Sequence, residues 1–233
     1  MKIIQKIKRQ ENAFYTLLYK VGKNIRHVNI PDIPFIFVFL KYEQRFRKQF
    51  FGKLFAFLYY EPVFKTYCKE CGKQLRLIGG IPLILGDLTI KIGTRVIIHG
   101  VTTFAAGKVY KETILEIGSN THLGHQVDIS VGSKVIIGDH VMISNRVSLV
   151  GYDFHPVDPD KRRKREAPGE EAADDIILED NVWIGMNCII LKGTRIGENS
   201  IIGAGSLVKG DIPANCIAVG SPAKVVKKIN VDN

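Results

Sequence analysis

The chain is poor in cysteine, has a single tryptophan and contains no long apolar run. Four cysteines in 233 residues cannot make the disulfide framework of a small secreted fold. Cys68 and Cys71 form one C-x-x-C, but no second pair follows at zinc-ribbon spacing, so they read as reduced structural thiols of a cytosolic protein. The opening MKIIQKIKRQENAFYTLLYK carries charges through what would be the apolar part of a secretory signal, and none is expected. No stretch approaches the ~20 apolar residues of a membrane-spanning helix. Acidic residues are scarce too, but only at the front. Residues 1–80 hold 5 Asp/Glu against 16 Lys/Arg, whereas residues 81–233 hold 18 against 17. Of the 21 aromatic residues, 16 precede residue 81. Composition therefore divides the chain into a basic, aromatic-rich helical extension, residues 1–80, and a charge-balanced domain, residues 81–233.

What the second region does contain is a ladder of aliphatic residues six apart. Leu178, Ile184, Ile190, Ile196, Ile202 and Val208 follow one another at that step. Ile117, Leu123 and Ile129 keep it earlier, and Ile137, Ile143 and Leu149 resume it after two extra residues. A six-residue period fits neither a helix nor an alternating strand and marks a repeat architecture. The expected structure is a coil of short strands, one per repeat, each pointing its aliphatic residue into a continuous column, with glycine or a small polar residue at the corners.

Residues 1–27 have the pattern of a basic amphipathic helix, with Ile3, Ile4, Ile7, Phe14, Leu17, Leu18 and Val21 toward one face, ended by Pro31 and Pro34. In the following IPFIFVFLKYEQRFRKQFFGKLFAFLYY, Phe46, Phe50, Leu54 and Leu58 recur every four residues beside Arg45, Arg47, Lys48 and Lys53. This is the composition of a segment lying in an anionic membrane interface. It also suits helices packed on the open end of the coil or on a partner subunit. No nucleic-acid-binding motif accompanies the positive charge, and no nucleic-acid partner is expected.

Two segments break the ladder, residues 101–114 and residues 151–175. The second, GYDFHPVDPDKRRKREAPGEEAADD, is too polar to join the column and must protrude. Long loops on rigid scaffolds are common sites of function. It holds His155, one of six histidines, and histidine titrates at about 6.5, where proton transfer is useful. Read alone, a histidine in a charged loop is more often solvent-facing than catalytic. His122 and His125, three apart, could suggest zinc, but a third histidine at matching spacing is not found, and no metal is expected.

The stretch NVWIGMNCIILKGTRIGENSIIGAGSLVKGDIPANCIAVGSPAKVVKKI, residues 181–229, resembles the end of the hexapeptide-repeat acyltransferases. It is most similar to the branch with maltose and galactoside O-acetyltransferases and the acetyltransferases of polysaccharide and lipopolysaccharide synthesis. The loop with His155-Pro156 and the run DPDKRRK match that branch as well, and the resemblance covers about residues 88–229. It implies a mainly β fold: a left-handed parallel β-helix with the N-terminal helical extension and a short C-terminal tail or helix. It further implies a homotrimer with active sites in the grooves between coils, and acetyl-CoA as co-substrate without a metal.

By the same resemblance His155 stands at the catalytic histidine, although the preceding Tyr-Asp-Phe replaces residues that are often smaller. Asp128 falls near a position where relatives bind the acceptor, across a one-residue gap, and is otherwise a turn aspartate. Asn145 is read as a second acceptor-side residue or, more simply, as a corner residue in left-handed backbone geometry. Trp183 matches a tryptophan near the active site, or caps the core column beside Ile184. Gly185 and the small-residue turn at Ala204 and Gly205 are expected to let the coenzyme's pantetheine arm approach the backbone. Met186 replaces a small residue there. Lys224 and Lys227 match basic positions that pair with the coenzyme's phosphates, and Lys209 lies one place away from another.

These expectations describe an acetyl-CoA-dependent O-acetyltransferase acting on a saccharide, with His155 as general base and direct transfer. The extension points to an acceptor presented at a membrane, such as a lipid-linked glycan, and to a cytoplasmic protein on the inner face of the cell membrane. N-acetylation of an amino sugar or nucleotide-sugar needs nearly the same base chemistry. A catalytically silent scaffold is the reading from another class, and the His155 loop and the donor turns speak against it.

Overall fold

A computed structural model describes residues 2–25, 33–108, 110 and 112–230. Two compact units divide the chain, residues 1–48 and 49–233. In the first, α1 (Lys2–Arg9) and α2 (Ala13–Ile25) pack against each other. The periodicity predicts one helix over residues 1–27, but the chain turns at Gln10, whose φ is +51°, and Asn12 restarts it. The Asn12 Oδ1 accepts from the Tyr15 amide at 2.9 Å, the side-chain cap that asparagine supplies best. The expected break at Pro31 lies outside the described residues; Pro34 opens α3 (Pro34–Phe55) instead of ending a helix.

The second unit is a three-sided coil in which nearly every strand pairs in parallel with the strand one turn on. One face stacks Cys68–Cys71, Thr89–Ile92, Ile114–Ile117, Lys134–Ile137, Ile176–Leu178 and Thr194–Ile196. The next stacks Arg76–Ile78, Ile97–His99, His122–Leu123, Met142–Ile143, Trp183–Ile184, Ile201–Ile202, Cys216–Gly220 and Ala223–Lys228. On the third lie Leu83–Leu85, Thr103–Ala106, Asp128–Val131, Ser148–Val150, Ile189–Leu191 and Leu207–Val208. This is the parallel β-helix that the six-residue step implies.

The ladder residues are its core. Leu123, Ile143, Ile184 and Ile202 pair in register up the second face, and Ile129, Leu149, Ile190 and Val208 up the third, all buried. Corners between the first two faces are made by residues with φ near +60°, including Asn120, Asn181, Asn199 and Asn215, and asparagine is among the few side chains that tolerate this region.

The coil begins earlier than the composition break at residue 80, with the strand at Cys68. A register shift between Cys68 and Glu70 sets Cys68 opposite Ile90 and Cys71 opposite Ile92, two core positions. Burial pushes the Cys68 thiol up to about 12 and raises Cys71 as well, which keeps both protonated and unreactive. Helix α4 (Glu61–Thr66) closes this end of the coil. Its Phe64 is fully buried, with its ring 6.4 Å from Phe104.

Phe104 corrects a second expectation. Residues 101–114 do not all interrupt the repeat, because Thr103–Ala106 is a strand of the third face and Phe104 takes the core position. At the other end the tail is a strand, not a helix: Ala223–Lys228 turns back antiparallel on Cys216–Gly220.

Candidate active site

The polar loop leaves the coil after Ser148–Val150 and is pinched at its neck. Gly151 N donates to Ser130 O at 2.8 Å, Asp153 N to Ala172 O at 2.8 Å, and Asp174 N to Gly151 O at 3.1 Å. Tyr152 and Ala173 form an antiparallel bridge across the neck. Lys192, one turn further along, holds Asp153 at 2.6 Å and donates to Ala172 O at 2.8 Å. From two turns back, the Tyr110 hydroxyl donates to Glu170 O at 3.1 Å. A stem braced from three directions presents the loop as a fixed structure.

Within it, α5 (Pro159–Arg163) is capped by Asp158, whose carboxylate accepts from Asp160 N at 2.7 Å. The helix aims Arg162 back at the segment carrying the histidine: its Nη1 donates to Pro156 O at 2.9 Å and to Val157 O. Pro156 is buried and His155 exposed, so the histidine stands at the surface of an anchored turn. Arg162 was not singled out from the sequence. The only signal was its place in a basic run, where a solvated role is the ordinary reading.

Asp128 begins its strand on the third face, in register with Thr103 below and Ser148 above. Partial burial raises its pKa, and a hydrogen bond from Ser130 Oγ at 3.4 Å opposes the shift. Tyr152 stands close enough that the Asp128 charge adds to burial in pushing its phenol up. The structure thus brings Asp128 together with the stem of the His155 loop. Asn145 plays another part. Its Oδ1 accepts from His125 N at 2.8 Å, tying two successive corners, and the left-handed residue at that corner is Arg146, with φ +58°.

Of the residues expected on the donor side, Gly185, Ala204 and Gly205 line the edge between the second and third faces. A Cβ on Gly185 would sit 2.6 Å from Ala204 N, so only glycine allows turns five and six to approach this closely. Gly205, with φ +73° and open space where a side chain would stand, donates its amide to Met186 O at 2.8 Å. Ala204 and Gly205 leave this part of the edge without bulky side chains, and Met186 stands exposed beside them.

Trp183 does not cap the core column: it points outward, 49% exposed, and its Nε1 donates to Ser144 Oγ at 3.4 Å. Lys224 and Lys227 lie on the final antiparallel strand. Lys209 follows the third face and stands apart from them, toward the corner the protruding loop leaves from. Donor edge and loop root are therefore at opposite ends of the third-face strands, on the order of 10–15 Å apart at about 3.3 Å per residue.

One constellation escaped the sequence. His99 joins His122 and His125, with ring centroids at 5.7 and 6.2 Å. Burial lowers the pKa of His99 and His122 and favours neutral rings, and the two neighbouring imidazoles lower His99 further. The stretch between Ala106 and Ile114 lengthens the turn between them and hides the spacing. Among the described residues no group of three His, Cys, Asp or Glu is arranged to hold a metal ion.

Comparison with known proteins places these features. Residues 175–210 match the family described as bacterial transferase hexapeptide (six repeats). A galactoside O-acetyltransferase of Lactococcus lactis is 40% identical over 127 residues, 54% of this chain and 56% of that protein. A putative lipopolysaccharide biosynthesis O-acetyl transferase of Escherichia coli, WbbJ, is 29% identical over 131 residues, 54% of this chain and 64% of that protein. The chain thus spans somewhat over half the length of these relatives. In fold, it resembles the N-acyltransferase AntD of Bacillus cereus, solved with dTDP and 3-hydroxybutyryl-CoA. The TM-score is 0.57 at 22% identity, over 73% of this chain and 88% of that one.

Proposed function

We propose that this hexapeptide-repeat protein is an acetyl-CoA-dependent O-acetyltransferase acting on a saccharide, with His155 as its general base. The observation that carries the reading is the His155 turn, held by Arg162 on a braced stem whose Tyr152 stands beside the partly buried Asp128 carboxylate. The similarity to a galactoside O-acetyltransferase supports oxygen rather than nitrogen as the acceptor atom. When bound, acetyl-CoA supplies the acetyl group as an activated thioester.

The residues of the chain do the rest. A neutral His155 imidazole takes the proton of an acceptor hydroxyl as that oxygen attacks, and returns it to the departing thiol. One ester bond forms, one thioester bond breaks, and no proton is lost. Asp128 accepts a hydrogen bond from a second hydroxyl of the acceptor. The open backbone at Ala204 and Gly205 receives the donor arm, and Lys224 and Lys227 its phosphates. Because the donor edge and the His155 loop flank opposite ends of one face, a complete site forms between neighbouring coils of a homotrimer.

The front of the chain supports a membrane-bound acceptor, part of a surface polysaccharide or lipopolysaccharide precursor. In α1 and α2 the apolar Ile4, Ile7 and Leu18 share a groove with Lys8 and Lys23. Along α3 and the turn after it, Phe35, Phe39, Tyr42, Phe57 and Leu58 are exposed. No helix among the described residues is long and apolar enough to cross a bilayer. Apolar surface of this extent beside like charge fits a helix lying in a cytoplasmic, anionic leaflet, where each basic residue contributes about 1 kcal/mol.

Release of free thiol from acetyl-CoA, measured with a panel of saccharides, tests the activity. His155→Ala is expected to cut turnover about a hundredfold while the trimer mass persists. Near-normal turnover by that variant would remove His155 from the chemistry, and transfer only to amino sugars would make the protein an N-acetyltransferase. Flotation with anionic vesicles tests the membrane reading. Deleting residues 1–60 should abolish it, and unchanged flotation would refute it.

A further inference from the structure

We infer that the rings of Tyr152 and Phe154 form a platform on which a pyranose ring of the acceptor lies, beside His155. The inference rests on the acetyltransferase reading only for the identity of the reaction; the platform itself is argued from the stem. Asp153 turns to Lys192, 2.6 Å away, while the rings of Tyr152 and Phe154 meet each other with centroids 4.6 Å apart and planes at 51°. The backbone beneath them is held on both sides by the Gly151 and Asp153 hydrogen bonds and the Tyr152–Ala173 bridge. The two rings are thus a rigid pair and not a mobile fringe.

Their surroundings grade from apolar to polar. Phe154 is 54% exposed and directly precedes His155, and Tyr152 is partly buried beside the Asp128 carboxylate. A pyranose has the complementary gradient. One face of its ring is a patch of C–H groups, which packs on an aromatic face, and its rim carries hydroxyls that a carboxylate can accept from. A ring lying on Phe154 with a rim hydroxyl toward Asp128 would rest against the residue that directly precedes His155. An acyclic alcohol could reach the same imidazole but would gain nothing from the plate. The aromatic pair is therefore the element that selects a cyclic sugar over a simple alcohol.

The test uses the full-length chain with methyl α-D-glucopyranoside as probe and glycerol as acyclic control. In saturation-transfer NMR the pyranoside's ring C–H signals should respond, and Phe154→Ala should reduce that response at least threefold, while His155→Ala leaves it intact. In the transfer assay Phe154→Ala should raise the pyranoside KM about tenfold, with the acetyl-CoA KM, the glycerol rate and the oligomer mass unchanged. An unchanged pyranoside KM and NMR response in Phe154→Ala would overturn the platform. So would a change of oligomer mass, which would place Phe154 in a subunit contact. If the wild type binds pyranoside through Phe154 but transfers no acetyl group, the platform stands and the proposed reaction falls.

Discussion

Lys192 reaches 2.6 Å from Asp153 and so fastens the root of the protruding loop to the turn of coil above it. The same ammonium donates to Ala172 O, which puts both strands of the loop's neck under one side chain. Asp153 lies two residues before His155, so the contact fixes the chain from which the histidine leaves.

Lys192→Met should keep the aliphatic stem and lose both contacts. Such a half-exposed ion pair contributes about 0–1 kcal/mol to stability, so the melting temperature should hardly move. Turnover, which depends on placement, should fall about tenfold, with the acetyl-CoA KM unchanged. A large loss of stability, or none of turnover, would contradict this division.

Gly185→Ala places a methyl group against Ala204 N and Ile202 O, at 2.6 and 2.8 Å. Both obstacles are backbone, so two turns must separate. Overpacking of this kind costs about 1–3 kcal/mol, to be read from chemical denaturation. Coenzyme A affinity, measured by calorimetry, should weaken as well, since the same backbone makes the donor edge.

The histidine cluster predicts a pH dependence of a definite sign. His99 and His122 have folded pKa values below the ordinary 6.5, so the unfolded chain binds more protons in the window beneath that value. Stability is therefore full above about 6.5 and declines as pH falls from there toward the lowered folded values. Thermal midpoints should drop between pH 7 and 5.5, and less in His99→Asn/His122→Asn. Asp128, raised by burial, acts in the opposite sense, and repeating the scan in Asp128→Asn removes its contribution.

The legible part of this protein is the part in which neighbours in space lie a constant distance apart in sequence. Ile184, Ile190 and Ile196 face one column because each face of the coil consumes six residues, and nothing but counting is needed to see it. Ile92, Ile98 and Phe104 keep the same step, yet the aromatic at its end disguised the rung. Phe104 is large because Phe64 meets it from outside the repeat, a contact no period encodes.

The protruding loop that carries His155 was legible as a polar break in the ladder. The support of that loop by Arg162 and Lys192 was not, since an arginine in a basic run and a lysine on a coil edge both look solvated. Trp183 was misplaced when read as a core cap, because the residue before a ladder position faces outward. Asn145 earns its corner by bonding the corner below, while its neighbour Arg146 takes the left-handed geometry.

The fully buried Phe64 has a consequence for how such a molecule stops. A stack of identical rungs has no internal reason to end, and an open terminal rung offers unpaired backbone to any similar surface. Here one terminus is plugged by a side chain from α4, and on the second face the other is hemmed by the reversed strand Ala223–Lys228. The length of the rod is set by its two stoppers, which lie outside the repeat. Shortening Phe64 would therefore leave the apolar column unfilled at that end.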